Sequence, residues 1–339
     1  MKKRLLTATA LLASLALAGC GLGPATVDDE GGEGRVIKIA GTWNQTHPVA
    51  ASLDNVLKPE IEEKTNGALT LDVYHSGTLG NEADLWDAVR NGTIEMAVVG
   101  TPMNQEFPTM LISDWPWLYR DVEHAKATWT GDVADDLSAQ FHEKFPETQI
   151  LSWGPNSART FSSSKQLTSP ADFAGQKFRM PNNPIHLGLA ADLGASAQVI
   201  PLGELFSALE TGVVDGQDNG MVTIVSEGLY EVQQYVYETN HIVATMEIVA
   251  NQAFLDSLTE EQLKIVQDAA KKATEQAWDN YIASIAKDRQ TLIDNGLTVT
   301  PLTDADRAVL VEKTKPTVDK LYADNDWAKE LVTKIENVK

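Results

Sequence analysis

The sequence has one cysteine, few basic residues and no long apolar run beyond its first twenty residues, and each shortage removes a class of protein. A lone Cys20 makes no internal disulfide and has no second thiol for a metal site. The chain carries 27 basic against 48 acidic residues, a formal net charge of −21. A surface so acidic repels nucleic acid and anionic lipid headgroups. From Arg35 onward no apolar stretch reaches the eighteen residues of a membrane span. The six histidines are scattered with no HExxH or HxH spacing, so no metal site is read from them. A GxSxG elbow, a Walker A loop and a GxGxxG turn after a strand are also missing, and no cofactor is implied.

What is present begins with a leader. Lys2, Lys3 and Arg4 precede an apolar run from Leu5 to Ala18, too short to span a bilayer comfortably and suited to a signal-peptide core. It ends in Leu17-Ala18-Gly19-Cys20, which resembles a bacterial lipoprotein lipobox. That resemblance implies cleavage before Cys20 and lipid on its thiol, with residues 1–19 removed as the signal peptide. A chance cysteine closing an ordinary signal peptide is the alternative. Residues 20–34 are Gly-rich and acidic with no apolar periodicity, a flexible tether reaching on the order of 20 Å. About 300 residues remain, enough for two lobes with cores of their own.

Strands and helices alternate through that remainder. Val36–Ala40, Leu69–Tyr74, Ile94–Val99, Ile150–Trp153 and Lys177–Met180 read as strands, and Val199-Ile200 as the start of another. Helices are expected over about Pro48–Thr65 (closed by Asn66-Gly67), Asn81–Asn91, Ile185–Leu193 and Leu202–Thr211. The rhythm predicts an α/β protein with predominantly parallel sheets. One helix is set apart. Thr259 and Gln262 form a capping box, and Leu263, Val266, Ala270, Ala273, Ala277, Tyr281 and Ile285 repeat at helical spacing up to about Asp294. At ~1.5 Å per residue it spans roughly 50 Å, long enough to lie across two lobes.

The informative charges are arginines, of which only seven follow Arg4. Arg159 and Arg179 fall in β-like segments close to turns. A guanidinium offers a planar fork that matches a carboxylate with two parallel hydrogen bonds. In so acidic a chain each arginine could equally pair with a surface acid.

The run Phe173-Ala174-Gly175-Gln176-Lys177-Phe178-Arg179-Met180-Pro181-Asn182 resembles the L-G-x-K-x-R-x-P segment of TRAP transporter solute receptors, the DctP family. Gly194-Ala195, Pro201–Leu209, Gly212–Asn219, Tyr230–Tyr235 and Thr239-Asn240-His241 follow in the family's order, with Gly77–Gly80 and Pro116–Asp121 upstream. The resemblance implies a two-lobed, periplasmic-binding-protein-like fold with a long helix spanning both lobes. Lobe I would hold residues 35–155 and about 245–284, lobe II residues 156–244 and about 285–339, with the ligand between them. It implies further that Arg179 grips the substrate carboxylate and Arg159 assists. Asn182 and Asn219 match positions that hydrogen-bond the ligand, and Asn156 and Glu82 sit at or near others. Trp43 would form an aromatic wall, or else belong to the core. Gly100 and Met103 stand where the sialic-acid-binding branch has an acid and an arginine, which weakens a sialic-acid assignment.

The function implied is capture of a small organic acid, a sugar acid such as a hexuronate or a C4-dicarboxylate, without enzymatic turnover. Delivery would be to the small and large membrane subunits of a TRAP transporter, from outside the cytoplasmic membrane. The membrane would be touched through the lipid anchor alone, and no nucleic acid is bound. A sensor partnered with a membrane kinase is the alternative.

Overall fold

The computed structural model describes residues 34–339; Cys20 and nearly all of the tether lie outside the described residues. The chain opens with β1 (Arg35–Ala40), then α1 (Pro48–Ser52), a π-helical turn (Leu53–Leu57) and α2 (Lys58–Lys64), run together as one helical segment. Asn66 and Gly67 close it at φ of 51° and 79°, the left-handed conformation expected of that pair. There follow β2 (Leu69–Tyr74), α3 (Glu82–Arg90), β3 (Met96–Val99), the short α4 (Met103–Glu106) and a 3-10 segment (Pro108–Asp114). Helices α5 (Val122–Trp129) and α6 (Asp132–Lys144) lead into β4 (Thr148–Ser163).

The second half repeats the rhythm with β5 (Lys177–Met180), α7 (Pro184–Asp192), β6 (Ser196–Val199), α8 (Leu202–Glu210), β7 (Gly216–Asn219) and α9 (Met221–Ser226). Then come β8 (Tyr235–Asn251), α10 (Gln252–Asp256), α11 (Glu260–Asp294), β9 (Thr298–Pro301), α12 (Asp304–Asp324) and α13 (Ala328–Glu336). Strand β6 ends at Val199, where the sequence suggested a strand beginning.

The strands form one sheet in the order β2-β1-β3-β8-β4-β7-β5-β6, with β9 beside β8. Its flanks are parallel, as the alternation predicts, but the centre is antiparallel: β3 with β8, β8 with β4, and β4 with β7. The two central strands, of 16 and 17 residues, run through both halves. Only the first part of β4 was evident from its sequence, because a strand buried on both faces loses the period-two alternation that marks one. β4 shifts register against β8 at Ile150/Ser152, Pro155/Ser157 and Arg159/Phe161, so the ladder bends where it crosses between the halves.

Four apolar clusters follow from this layout. One, around Ile37, Leu53, Leu57 and Met246, packs α1, α2 and the first half of α11 on one face of the sheet. A second, around Trp115, Trp129 and Trp153, covers the opposite face. Two smaller ones, around Phe161 and Phe178 and around Leu205 and Leu292, belong to the second half. Helix α11 has the expected capping box, Thr259 with Gln262, and buries Ala270, Ala273 and Ala277 in the first cluster, Trp278 in the second and Leu292 in the last. It therefore ties the two halves together along its length. No helix among the described residues is long and apolar enough to cross a membrane.

Candidate functional site

A cleft of about 470 Å³ opens between the loops that follow β1, β2 and β3 and those that follow β5 and β6. Parallel strands deliver their C-terminal ends to one edge, which is where open α/β sheets hold ligands. Glu82, Thr101 and Gln105 line it from the first half, Arg179, Asn182 and Ile200 from the second. Gln105 Nε2 donates to the Asn182 carbonyl across the gap, at 3.2 Å.

Arg179 stands at the third position of β5 and is 6% exposed. Its Nε donates to the Ile200 carbonyl at 2.7 Å, which fixes the plane of the guanidinium. Among the described residues no carboxylate forms an ion pair with it, and its two terminal nitrogens have no protein partner. Burial, and then the neighbouring Arg159 charge, bring its pKa down to about 10, so it stays charged at neutral pH. A buried cation with a free fork, in a chain with 48 acids, lacks a counter-ion.

Arg159 differs. It is 4% exposed, its Nε donates to Asp218 Oδ1 at 2.7 Å, and its terminal Nη2 reaches the Asp218 carbonyl. Asp218 in turn meets His186 Nδ1 at 2.6 Å, and His186 Nε2 lies 3.5 Å from Asp114 Oδ1. Burial opposes the charge on Asp218, but Arg159 and His186 outweigh it and hold the carboxyl well below its usual range. Burial likewise opposes charge on His186, and Asp218 and Asp114 overcome it, so its pKa is raised. Asn183, capping α7 through the Ile185 N–H, donates its amide to Asp114 Oδ2 at 2.7 Å. This network carries Arg159 as a fixed charge behind the cleft.

Of the other residues singled out in the sequence, Glu82 opens α3 and lines the cleft. Burial raises its pKa to about 7, against the pull of Arg179. Asn182 lines the cleft from an exposed position. Asn219 is buried at the end of β7, donating to Gln217 Oε1 at 2.7 Å. Asn156 sits at the β4 bulge, its carbonyl 3.1 Å from His47 Nε2, with its side-chain Oδ1 buried and unpartnered. Trp43 is 5% exposed within the cluster of α1, α2 and α11, away from the cleft lining.

Sequence reasoning passed over Asp114, His186, Asp218 and Asn183. Their contacts join positions 32 to 72 residues apart, so no spacing announces them. The one local signal was Gln217-Asp218-Asn219, three polar residues in a strand whose every residue is buried.

The arrangement defines a class: a binding protein whose two halves meet over a buried, unpaired arginine. The model of the bacterial extracellular solute-binding protein family 7, DctP, matches residues 39–325, and the chain belongs to that family. A TRAP periplasmic solute-binding protein of Haemophilus influenzae RdAW, solved with bound L-gulonate, superposes with a TM-score of 0.86 at 30% identity, over 90% of this chain and all of the other. The 2,3-diketo-L-gulonate-binding periplasmic protein YiaO of Escherichia coli is 32% identical over 73% of this chain and 75% of its own. The ectoine-binding periplasmic protein TeaA of Halomonas elongata is 31% identical over 61% and 62%. The protein is thus an extracytoplasmic solute receptor of the TRAP type with the two-lobed α/β fold of its relatives. Relatives at similar identity bind different solutes, so the ligand has to be argued from the cleft.

Proposed function

We propose that the protein captures a small organic acid by its carboxylate and releases it unchanged to TRAP membrane subunits. The observation that carries this is the unpaired, buried fork of Arg179 facing the cleft. A carboxylate there gains two charge-assisted hydrogen bonds and supplies the missing counter-ion. Arg159, pinned by Asp218, adds a second positive charge behind it. Glu82, Asn182, Asn219 and Asn156 would sort the remainder of the ligand, and Trp43 would support the wall from beneath. A hexuronate or related sugar acid, or a C4-dicarboxylate, fits a cavity of this size. Bound L-gulonate in the H. influenzae relative favours the former.

The lobes are proposed as residues 35–155 with about 245–284, and 156–244 with about 285–339. The β4 bulge at Pro155/Ser157 and its partner Ala244 fall at that boundary, while α13 reaches back to the 3-10 segment of the first half. No bond-making chemistry is proposed for the cleft. Lipidation of Cys20 would hold the receptor at the outer face of the membrane; in cells, a Cys20→Ala protein should move from the membrane fraction to the soluble one. The reading of a kinase-partnered sensor gains no support from the relatives.

The test is a thermal-shift screen of refolded protein against uronates, aldonates, C4-dicarboxylates, 2-oxo acids and neutral sugars. A ligand far above its Kd should add about 2 to 4 kcal/mol and raise Tm by several degrees. A shift confined to acids supports the clamp; a shift with neutral sugars alone overturns it.

A further inference from the structure

We infer that the outer edge of β4, away from the cleft, is a docking groove for an extended basic segment of a partner protein, which pairs there as an added strand. From Thr148 to Arg159 the strand has its ladder with β8 on one side, and β7 joins the other side only from Thr160 to Ser163. Among the described residues no strand pairs with the outer edge before Thr160. The ladder groups of such an edge are a template for another chain.

Side chains of the flanking helices cap part of it. His142 Nδ1 donates to the Thr148 carbonyl at 2.8 Å, Trp278 Nε1 donates to the Trp153 carbonyl at 3.1 Å, and the Ala158 N–H donates to the Tyr281 hydroxyl at 2.6 Å. Between the first two caps lies the bulge at Ile150/Ser152, where the extra residue drops out of the β8 ladder. Gln149 to Trp153 floor a groove of about 470 Å³ between α6 and α11. At ~3.3 Å per residue that floor is roughly 16 Å long, the length of a short strand. Trp153 is held firmly in it: its Nε1 donates to Ser138 Oγ at 2.8 Å, and its ring stacks on Trp129 with centroids 4.5 Å apart. A rigid template loses little freedom on pairing.

The walls select the occupant. Ile150 and Trp153 pack into the cluster under α6 and Leu151 into the one under α11, so the two helices stand on opposite faces of the strand. The edge is therefore recessed. A second copy of this chain, with its own β4 edge lying equally deep, could not meet it edge to edge, whereas a single extended segment fits. Side chains of that segment alternate between the walls. Toward α6 they meet Ala134 and Ala139, and toward α11 they meet Asp268 and Glu275. Lys271 reaches across from α11 to Asp135 of α6 at 3.5 Å, but both are exposed and the pair contributes little. The segment that matches alternates small or apolar residues with lysine or arginine. Residues 20–34 of this chain carry four acids and no base, the wrong sign for the groove.

Fluorescence anisotropy with a labelled, end-capped Lys-Val-Lys-Val-Lys-Val peptide tests this. Wild type should bind one peptide per chain, and the Ile150 and Leu151 amides should exchange more slowly in the complex. The same peptide N-methylated throughout keeps its charge but loses its ladder donors, and should bind about tenfold more weakly or worse. A Glu-Val peptide of equal length should not bind. Ala139 is exposed on the α6 wall, and Ala139→Trp should fill the groove, weakening the peptide about tenfold while leaving the thermal shift with a cleft-bound acid unchanged. No binding of the Lys-Val peptide, equal binding of its N-methylated form, or undiminished binding by Ala139→Trp overturns the inference. Self-association of the protein that Ala139→Trp abolishes would assign the groove to a second copy and overturn it as well.

Discussion

Arg179 and Glu82 face each other across the cleft with opposite problems. Arg179 has a full charge and, among the described residues, no ion-pair partner; Glu82 is desolvated enough to hold a proton near neutrality. Arg179→Ala should therefore weaken acid binding by at least ~3 kcal/mol, about a hundredfold, by calorimetry, while the ligand-free Tm stays within a few degrees. A loss of Tm with no loss of affinity would place Arg179 in the framework instead of the site. Glu82 makes a pH prediction whose sign is fixed. Its folded pKa of about 7 lies above the ordinary 4.5, so its contribution to stability is complete below pH 4.5 and is lost as pH rises through 7. Glu82→Gln should flatten the dependence of Tm on pH across that window. A bound anion would raise the Glu82 pKa further, so wild-type affinity should also fall above pH 7, and less so in Glu82→Gln. An identical pH profile in the two proteins would contradict both statements.

The elements that close the second half are held by one close approach. Gly188, inside α7, lies against α12, and a Cβ on it would stand 2.5 Å from Thr317 Oγ1 and 2.9 Å from its Cγ2. The same turn of α12 contains Pro316, and the Thr317 N–H donates to Asp192 Oδ2 at 3.0 Å. Glycine to alanine within a helix ordinarily stabilises by about 1 kcal/mol. Here Gly188→Ala should destabilise by roughly 1 to 3 kcal/mol in urea unfolding, and Gly188→Ala with Thr317→Ala should recover most of it. A more stable single variant would show that α7 and α12 are not packed closely.

At this scale the sequence was legible where one element contained its whole signal. The long helix shows a cap, a period and a terminator within residues 259–296, and α11 follows them closely. The site arginines were visible because charge is rare within strands. Strand β8 was missed, since its last eleven residues are continuous buried chain with no alternation to betray them. The buried network of Asp114, His186 and Asp218 was missed because only folding brings its members together.

The halves of the molecule are joined by few continuous elements: β4, β8 and α11 cross between them, and β4 is bulged three times along the way. Bulges concentrate bending at defined residues while the ladders on either side stay rigid, so the crossing is built to flex about one line. Two bonds span the mouth of the cleft, beyond the buried contacts of Asp114 with Asn183 and His186 that join the same halves. Gln105 to the Asn182 carbonyl and the Asn44 N–H to Glu227 Oε1 are neutral or partly exposed bonds worth about 1 kcal/mol each. Against them stand the unpaired charge of Arg179 and the repulsion of a chain with 27 basic and 48 acidic residues. A carboxylate bridging the clamp cancels the first and adds contacts from both walls, which tips the balance toward the closed form. Small-angle scattering should accordingly show a smaller radius of gyration on saturation with a bound acid, approaching the ~19 Å of a compact chain of about 300 residues. Arg179→Ala should show no contraction at the same ligand concentration. Contraction in neither protein, with calorimetry confirming that wild type is saturated, would mean that the lobes are already closed and that the solute enters through the open mouth of the cleft without a hinge.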